Sequence, residues 1–166
     1  MFVLALLVIG LLTQGETGAA GAASCPEPFV TIGEGCYFFS YSFVTWQEAR
    51  TTCQGLLPGE DADLAVLDST CDDFRHIASY AITNELTPFW VGASDDLIEG
   101  YWTWVDGRPV DMTASYWNTE EPLDGNSYNC AYLAFHSEKT FRLRLNADYC
   151  FDIWPCLCQL GVHSLK

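Results

Sequence analysis

The chain has 166 residues, 49% of them hydrophobic and 17% charged, with 22 Asp and Glu against 7 Lys and Arg and a net charge of −15. That length supports one ordinary hydrophobic core and hardly two. The acidic balance argues against DNA or RNA as a partner, because affinity for a polyanion rests on Lys and Arg neutralising phosphates.

Residues 1–23 begin with an apolar run of about eleven residues, Phe2 to Leu12, followed by small residues suited to signal peptidase. A bilayer span needs roughly 20 residues. The stretch therefore reads as a secretory signal peptide cleaved near Ala20 or Ala23, unusual in having no Lys or Arg ahead of the run, rather than as a buried N-terminal helix. No second hydrophobic segment follows, so a soluble, secreted domain over residues 24–166 without a membrane span is expected.

"CPEPFVTIGEGCYFF" reads as a hairpin, with turn residues between two short apolar runs and Cys25 and Cys36 placed to close it. In "TWQEARTTC", Thr45 and Glu48 form a capping box, and Trp46, Ala49 and Cys53 share one helical face. "LAVLD" reads as a short buried strand. "STCDDFRHIASYAITN" reads as a second helix, with Phe74, Ile77, Ala78 and Ala81 on one face and His76 off it. From Phe89 onward, strands such as "FWVGAS", "GYWTWVDG", "CAYLAF", "FRLRLN" and "CLCQL" alternate with Gly-, Pro-, Asn- and Asp-rich loops. Two early helices ahead of a loop-rich β half predict an α+β domain.

Within "KTFRLRL", Arg142 and Arg144 alternate with Phe141, Leu143 and Leu145, which puts both arginines on one strand face. A solvated face is the preferred reading, over an anion site. Eight cysteines behind an export signal point to an oxidising compartment and a disulfide framework, with on the order of 100 connectivities open to four bridges. Zinc binding by Cys150, Cys156 and Cys158 would need the repeated short gaps of zinc ribbons, which they lack. His76, His136 and His163 have no neighbouring motif for nucleophilic or general-base work. The "EDAD" at 60–63 lacks the glycine and terminal Glu of an EF-hand loop. An enzyme is not expected. No Asn-X-Ser or Asn-X-Thr sequence offers an N-glycosylation site.

Taken in order, "CYFFSYSFVTWQEARTTC", "LAVLDS", "FWVGASDDLIEGYWTWVDG", "WNTEEP", the "NC" at 129–130 and "LNADYC" resemble the C-type lectin-like domain, over nearly all of residues 25–160. Among its members the chain looks most like the small secreted single-domain lectins of invertebrate, crustacean-like innate immunity. The resemblance implies an α+β fold of two helices, small antiparallel sheets and a long loop region, stapled by disulfides. Trp90, Trp102 and Trp104 are then core residues near the base of that loop region. It implies bridges from Cys53 to Cys158, from Cys130 to Cys150 and, for domains with the extra hairpin, from Cys25 to Cys36. Cys71 and Cys156 are left over. A bridge between them is the economical choice, with two free thiols or an intermolecular bond as alternatives.

Sugar-binding relatives hold a principal calcium through a Glu-Pro-Asn or Gln-Pro-Asp tripeptide, a later Glu and an Asn-Asp pair, and the sugar's vicinal hydroxyls complete the shell. The matching positions here are Glu121, Pro122 and Leu123, then Tyr128, then Asn146 and Ala147. Calcium takes six to eight oxygens and binds more tightly with more carboxylates. Only Glu121 and Asn146 keep a suitable donor, so the principal calcium is expected to be lost unless Asp124, Asn126 or Asp148 moves into the vacancy. Pro122 is the family's cis proline, or else an ordinary trans turn proline. An auxiliary calcium of the family matches Asp95, Glu99, Asp124 and Asn129, all oxygen-bearing.

The resemblance thus implies a secreted recognition protein binding carbohydrate on microbial surfaces, through a degenerate Glu-Pro-Leu site at Glu121, Pro122, Leu123, Tyr128 and Asn146. The alternative is a calcium-independent lectin-like module that binds a protein or lipid partner. Leu123 and Tyr128 suit such an interface.

Overall fold

The computed structural model describes residues 24–67, 71–86, 88–123, 125, 127–135 and 142–162, with side chains of the second helix from Phe74 onward. The expected signal segment, Asp124, Asn126, His136 and His163 lie outside the described residues.

The chain begins with a hairpin, β1 (Val30–Ile32) and β2 (Gly35–Phe39), whose turn starts at Gly33 with φ +60°. This left-handed backbone suits glycine, which has no Cβ to clash. α1 (Trp46–Gly55) starts at the expected capping box: the Glu48 N–H donates to Thr45 Oγ1 at 3.4 Å and the Thr45 N–H to Glu48 Oε2 at 3.0 Å. Trp46, Ala49 and Cys53 are its buried face. Next come β3 (Ala62–Leu64), α2 (Cys71–Thr83) and β4 (Phe89–Ser94). β5 (Thr103–Trp104), β6 (Cys130–Phe135), β7 (Leu143–Asp148) and β8 (Leu157–Leu160) complete the described elements. On α2, Ile77 and Ala81 are fully buried and His76 is exposed, as the periodicity required.

Two antiparallel sheets result, in the orders β1-β2-β8-β3 and β5-β4-β6-β7. Ala65 joins them: its N–H donates to Leu157 O at 2.8 Å, and its carbonyl accepts from the Gly92 N–H at 2.9 Å. That bridging explains why the expected strand "LAVLD" is displaced, the ladder covering Ala62–Leu64 and Ala65–Leu67 continuing as a buried link. Gly92 permits the approach, because a Cβ there would lie 2.8 Å from Val105 Cγ2 and 2.9 Å from Leu64 O. The expected strand through "GYWTWVDG" shrinks to Thr103–Trp104, since Gly100 and Gly107 turn the chain on either side with φ +75° and +92°.

The core has two parts. One packs Phe39, Phe89, Leu133, Leu145, Trp102 and Trp104 under α2. The other surrounds the sulfurs with Trp46, Leu64 and Trp90. Trp90, Trp102 and Trp104 are all buried, as expected of core. Bridges join Cys25 to Cys36, Cys53 to Cys158 and Cys130 to Cys150. The bridge from Cys71 to Cys156 is not formed: Cys156 is a free, fully buried thiol, with its Sγ 4.0 Å from Cys53 Sγ. The side chain of Cys71 lies outside the described ones. Cys156 points into the sulfur-rich part of the core, whereas the packed face of α2, Ile77 and Ala81, belongs to the other part. Burial pushes the Cys156 thiol up to about 11, which keeps it protonated.

Candidate functional site

β7 is the edge of the second sheet, and the long loop covers that edge. The Leu145 N–H donates to Tyr116 O at 2.8 Å and the Asn118 N–H to Leu145 O at 2.9 Å, so the segment leading to Glu121 lies along β7. β6 pairs beside it, with Cys130 opposite Asp148 and Tyr132 opposite Asn146, and the Cys130–Cys150 bridge ties the strand ends. These pairings bring Glu121, Tyr128, Asn129, Asn146 and Ala147 to one end of the domain.

Glu120 turns the backbone with φ +68°, and the Glu121–Pro122 bond is cis. Glu121 faces inward. Its Oε2 accepts the Ala147 N–H at 3.0 Å and the Leu123 N–H at 3.0 Å, fastening the tripeptide to β7. Burial raises its pKa above the ordinary carboxylate range and the Asp148 charge adds to the rise, while the two N–H donors pull the other way. Asn146 is buried, with Oδ1 accepting from Asn118 Nδ2 at 2.8 Å and Nδ2 donating to Arg144 O at 2.9 Å. Both donor-bearing residues of the principal set are therefore engaged within the protein. Leu123, 44% exposed, and the buried Ala147 carry no side-chain oxygen. Asp148, a potential substitute, is held by the Tyr149 N–H at 2.9 Å and Trp154 Nε1 at 3.1 Å. These residues do not fit a calcium ion.

Tyr128 lies against Tyr149, with ring centroids 4.5 Å apart and the Tyr149 hydroxyl donating to Tyr128 Oη at 3.0 Å. Phe151, two residues after Tyr149, is 88% exposed. Tyr149 and Phe151 line a cleft of about 430 Å³ with Thr45, Gln47, Asp96 and Asn129.

The auxiliary set differs. Asp95 is 4% exposed; its Oδ2 accepts the Gly100 N–H at 2.9 Å, and its Oδ1 is buried with no hydrogen-bond partner among the described residues. Asn129 Oδ1 is likewise buried without a partner, while the Asp95 N–H donates to Asn129 O at 3.2 Å. Glu99 is exposed on the same loop. Burial raises the Asp95 pKa, against the Gly100 hydrogen bond. Both orphaned oxygens are of the hard-donor type that calcium takes, and an ion held here would draw on them.

Asn118 and Tyr149 escaped the sequence reading. Asn118 acts only through contact with a residue 28 positions away, and no local spacing signals that. Tyr149 neighbours Cys150, a position that placed it beside the site without indicating its partner.

The sequence matches the lectin C-type domain family over residues 42–160. The chain belongs to that family. It is 32% identical over 144 residues to human C-type lectin domain family 4 member E, covering 86% of this chain and 62% of that protein. The chain thus spans less than two thirds of that relative's length. Its fold is similar to the mouse scavenger receptor C-type lectin carbohydrate-recognition domain, at a TM-score of 0.67 and 23% identity over 81% of this chain and 94% of the other. It is also similar to the C-type lectin domain of murine dendritic cell inhibitory receptor 2, solved in complex with N-glycan, at a TM-score of 0.62 and 25% identity over 82% and 98%. The family is non-enzymatic, and the chain is a lectin-like recognition protein. Among the described residues no helix is long and apolar enough to cross a membrane.

Proposed function

We propose that this is a secreted protein of innate immunity that binds microbial surface glycans by direct contacts on the Tyr128–Tyr149 face, without a principal calcium. The observation that carries this reading is the engagement of the principal donors within the protein: Glu121 Oε2 serves two backbone N–H groups, and the Asn146 amide serves Asn118 and Arg144. What remains for a ligand is a half-open aromatic pair with polar hydroxyls. The apolar face of a sugar ring stacks on such rings through their negative π-face. Calcium at Asp95, Asn129, Glu99 and Asp124 would order the loop without contacting the sugar. Residues 1–23 would be the signal that delivers the chain to an oxidising exterior.

Retention on mannan and galactose resins, and on whole bacteria, tests this directly. Binding to at least one glycan surface should survive EDTA and fall when Tyr149→Ala removes the ring. Binding abolished both by EDTA and by Glu121→Ala would contradict the reading.

A second reading, a calcium-independent module for a protein or lipid partner, is favoured by an exposed apolar strip. Tyr41, Phe43, Phe151 and Ile153 are all exposed, on two segments joined through the Val44–Trp154 pairing. Absence of retention on every glycan surface would favour it.

A further inference from the structure

At the opposite end of β7 from Ala147 and Asp148, an open groove of about 770 Å³ runs between α2, the Ser115–Tyr116 segment and the start of the strand. Its floor is apolar. Phe74, Ala78 and Ile82 follow one another at four-residue spacing along one face of α2, Tyr116 stacks on Phe74 with centroids 5.9 Å apart, and Leu143 is fully buried beneath.

The charge at this groove is opposite to that of the chain. Arg75, Arg142 and Arg144 line it, three of only 7 basic side chains in a protein of net charge −15. No Asp or Glu is among its described lining residues. Arg75 also has an interaction within the protein, and Arg144 Nη1 donates to Leu143 O at 3.3 Å. Arg142 is exposed. The sequence reading of Arg142 and Arg144 as a solvated face did not anticipate the concave apolar surface that α2 brings beside them.

A small free anion would leave the floor unused, and a neutral apolar molecule would leave the arginines unused. From this juxtaposition we infer that the groove binds a single-chain anionic amphiphile, its acyl chain along Phe74, Ala78 and Ile82 and its headgroup at Arg142 and Arg144. The volume lies within the ordinary range of ligand pockets, roughly 300–1,000 Å³. A carboxylate or phosphate headgroup matches the guanidinium fork. This site is separate from the Tyr128–Tyr149 face and does not depend on what that face binds.

The test is calorimetric titration of the whole chain with palmitate and with palmitoyl lysophosphatidic acid, each below its micellar concentration, alongside neutral monopalmitoylglycerol. The two anionic arms tell a fatty-acid source from a lysophospholipid source. Expected is saturable one-to-one binding of at least one anionic lipid, about tenfold or more tighter than the neutral one. Arg142→Gln with Arg144→Gln should erase that preference, whereas Ile82→Glu should weaken the neutral lipid too. Near-UV circular dichroism checks that the variants are folded, and the arginine pair alone decides if Ile82→Glu is not. Equal binding of the neutral lipid, no saturable binding of either anionic lipid, or binding indifferent to the arginine pair would overturn the inference.

Discussion

The two oxygen sets at the loop end of the domain share elements and neighbours, yet their oxygens are in opposite states. Around Glu121 and Asn146 every donor-bearing side chain has protein partners. Around Asp95 and Asn129 two buried oxygens have none among the described residues. A buried orphan polar atom costs about 1–3 kcal/mol, whereas the same atom in a hydrogen bond stabilises the loop. Resemblance to a metal-binding motif is therefore a poorer guide to cation binding than the occupancy of each oxygen's lone pairs. The first set works as a fastening, and the second is suited to an ion.

The largest expected effect comes from removing what holds both sets in register. Replacing Cys130 and Cys150 together by Ala opens a closure spanning 20 residues and should cost about 3 kcal/mol in urea unfolding. Both the calcium response and the Tyr128–Tyr149 contact should go with it.

Next is the calcium term itself. At a calcium concentration of about 100 times Kd, binding should stabilise the fold by about 2.7 kcal/mol, seen as a rise in Tm. Asp95→Asn should abolish that rise while leaving the calcium-free Tm no lower, because it removes a buried carboxylate that has lost its solvent.

Glu121→Ala should destabilise by about 1–3 kcal/mol, since it strands the Leu123 and Ala147 N–H groups. Glu121→Gln should cost less, because an amide oxygen still accepts. Neither should change calcium affinity. A loss of calcium binding in the glutamine variant would erase the contrast between the two sets.

The smallest effect is in pH. The folded-state pKa of Asp95 is raised by burial, so its contribution to stability is complete below its unfolded pKa, about 3.9, and is lost as pH rises through the folded value. Calcium competes with that proton. In calcium-free buffer, wild type should gain stability relative to Asp95→Asn on acidification through this window. In saturating calcium the difference should shrink or reverse.

Much of this was legible in the sequence because it depends on local pattern. The capping box at Thr45 and Glu48, the α2 face of Ile77 and Ala81, and the hairpin at Gly33 are all set within a few residues. The family resemblance supplied the three bridges and the site positions. What could not be read were consequences of long-range contact. Asn118 occupying Asn146, Ala65 linking the two sheets, and Cys156 lying free and buried beside Cys53 depend on how distant segments meet. Leu123 and Ala147 announced missing oxygens, but only the fold reveals that Glu121 Oε2 accepts the Leu123 and Ala147 N–H groups.

The most direct test is calorimetric titration of the chain with calcium, in wild type, Asp95→Asn and Glu121→Gln, followed by mannose and galactose in saturating calcium. Expected are one calcium in wild type and Glu121→Gln, none in Asp95→Asn, and no calcium-dependent sugar heat in any of them. Calcium binding that is lost with Glu121→Gln, together with a sugar signal that requires the ion, would contradict this expectation.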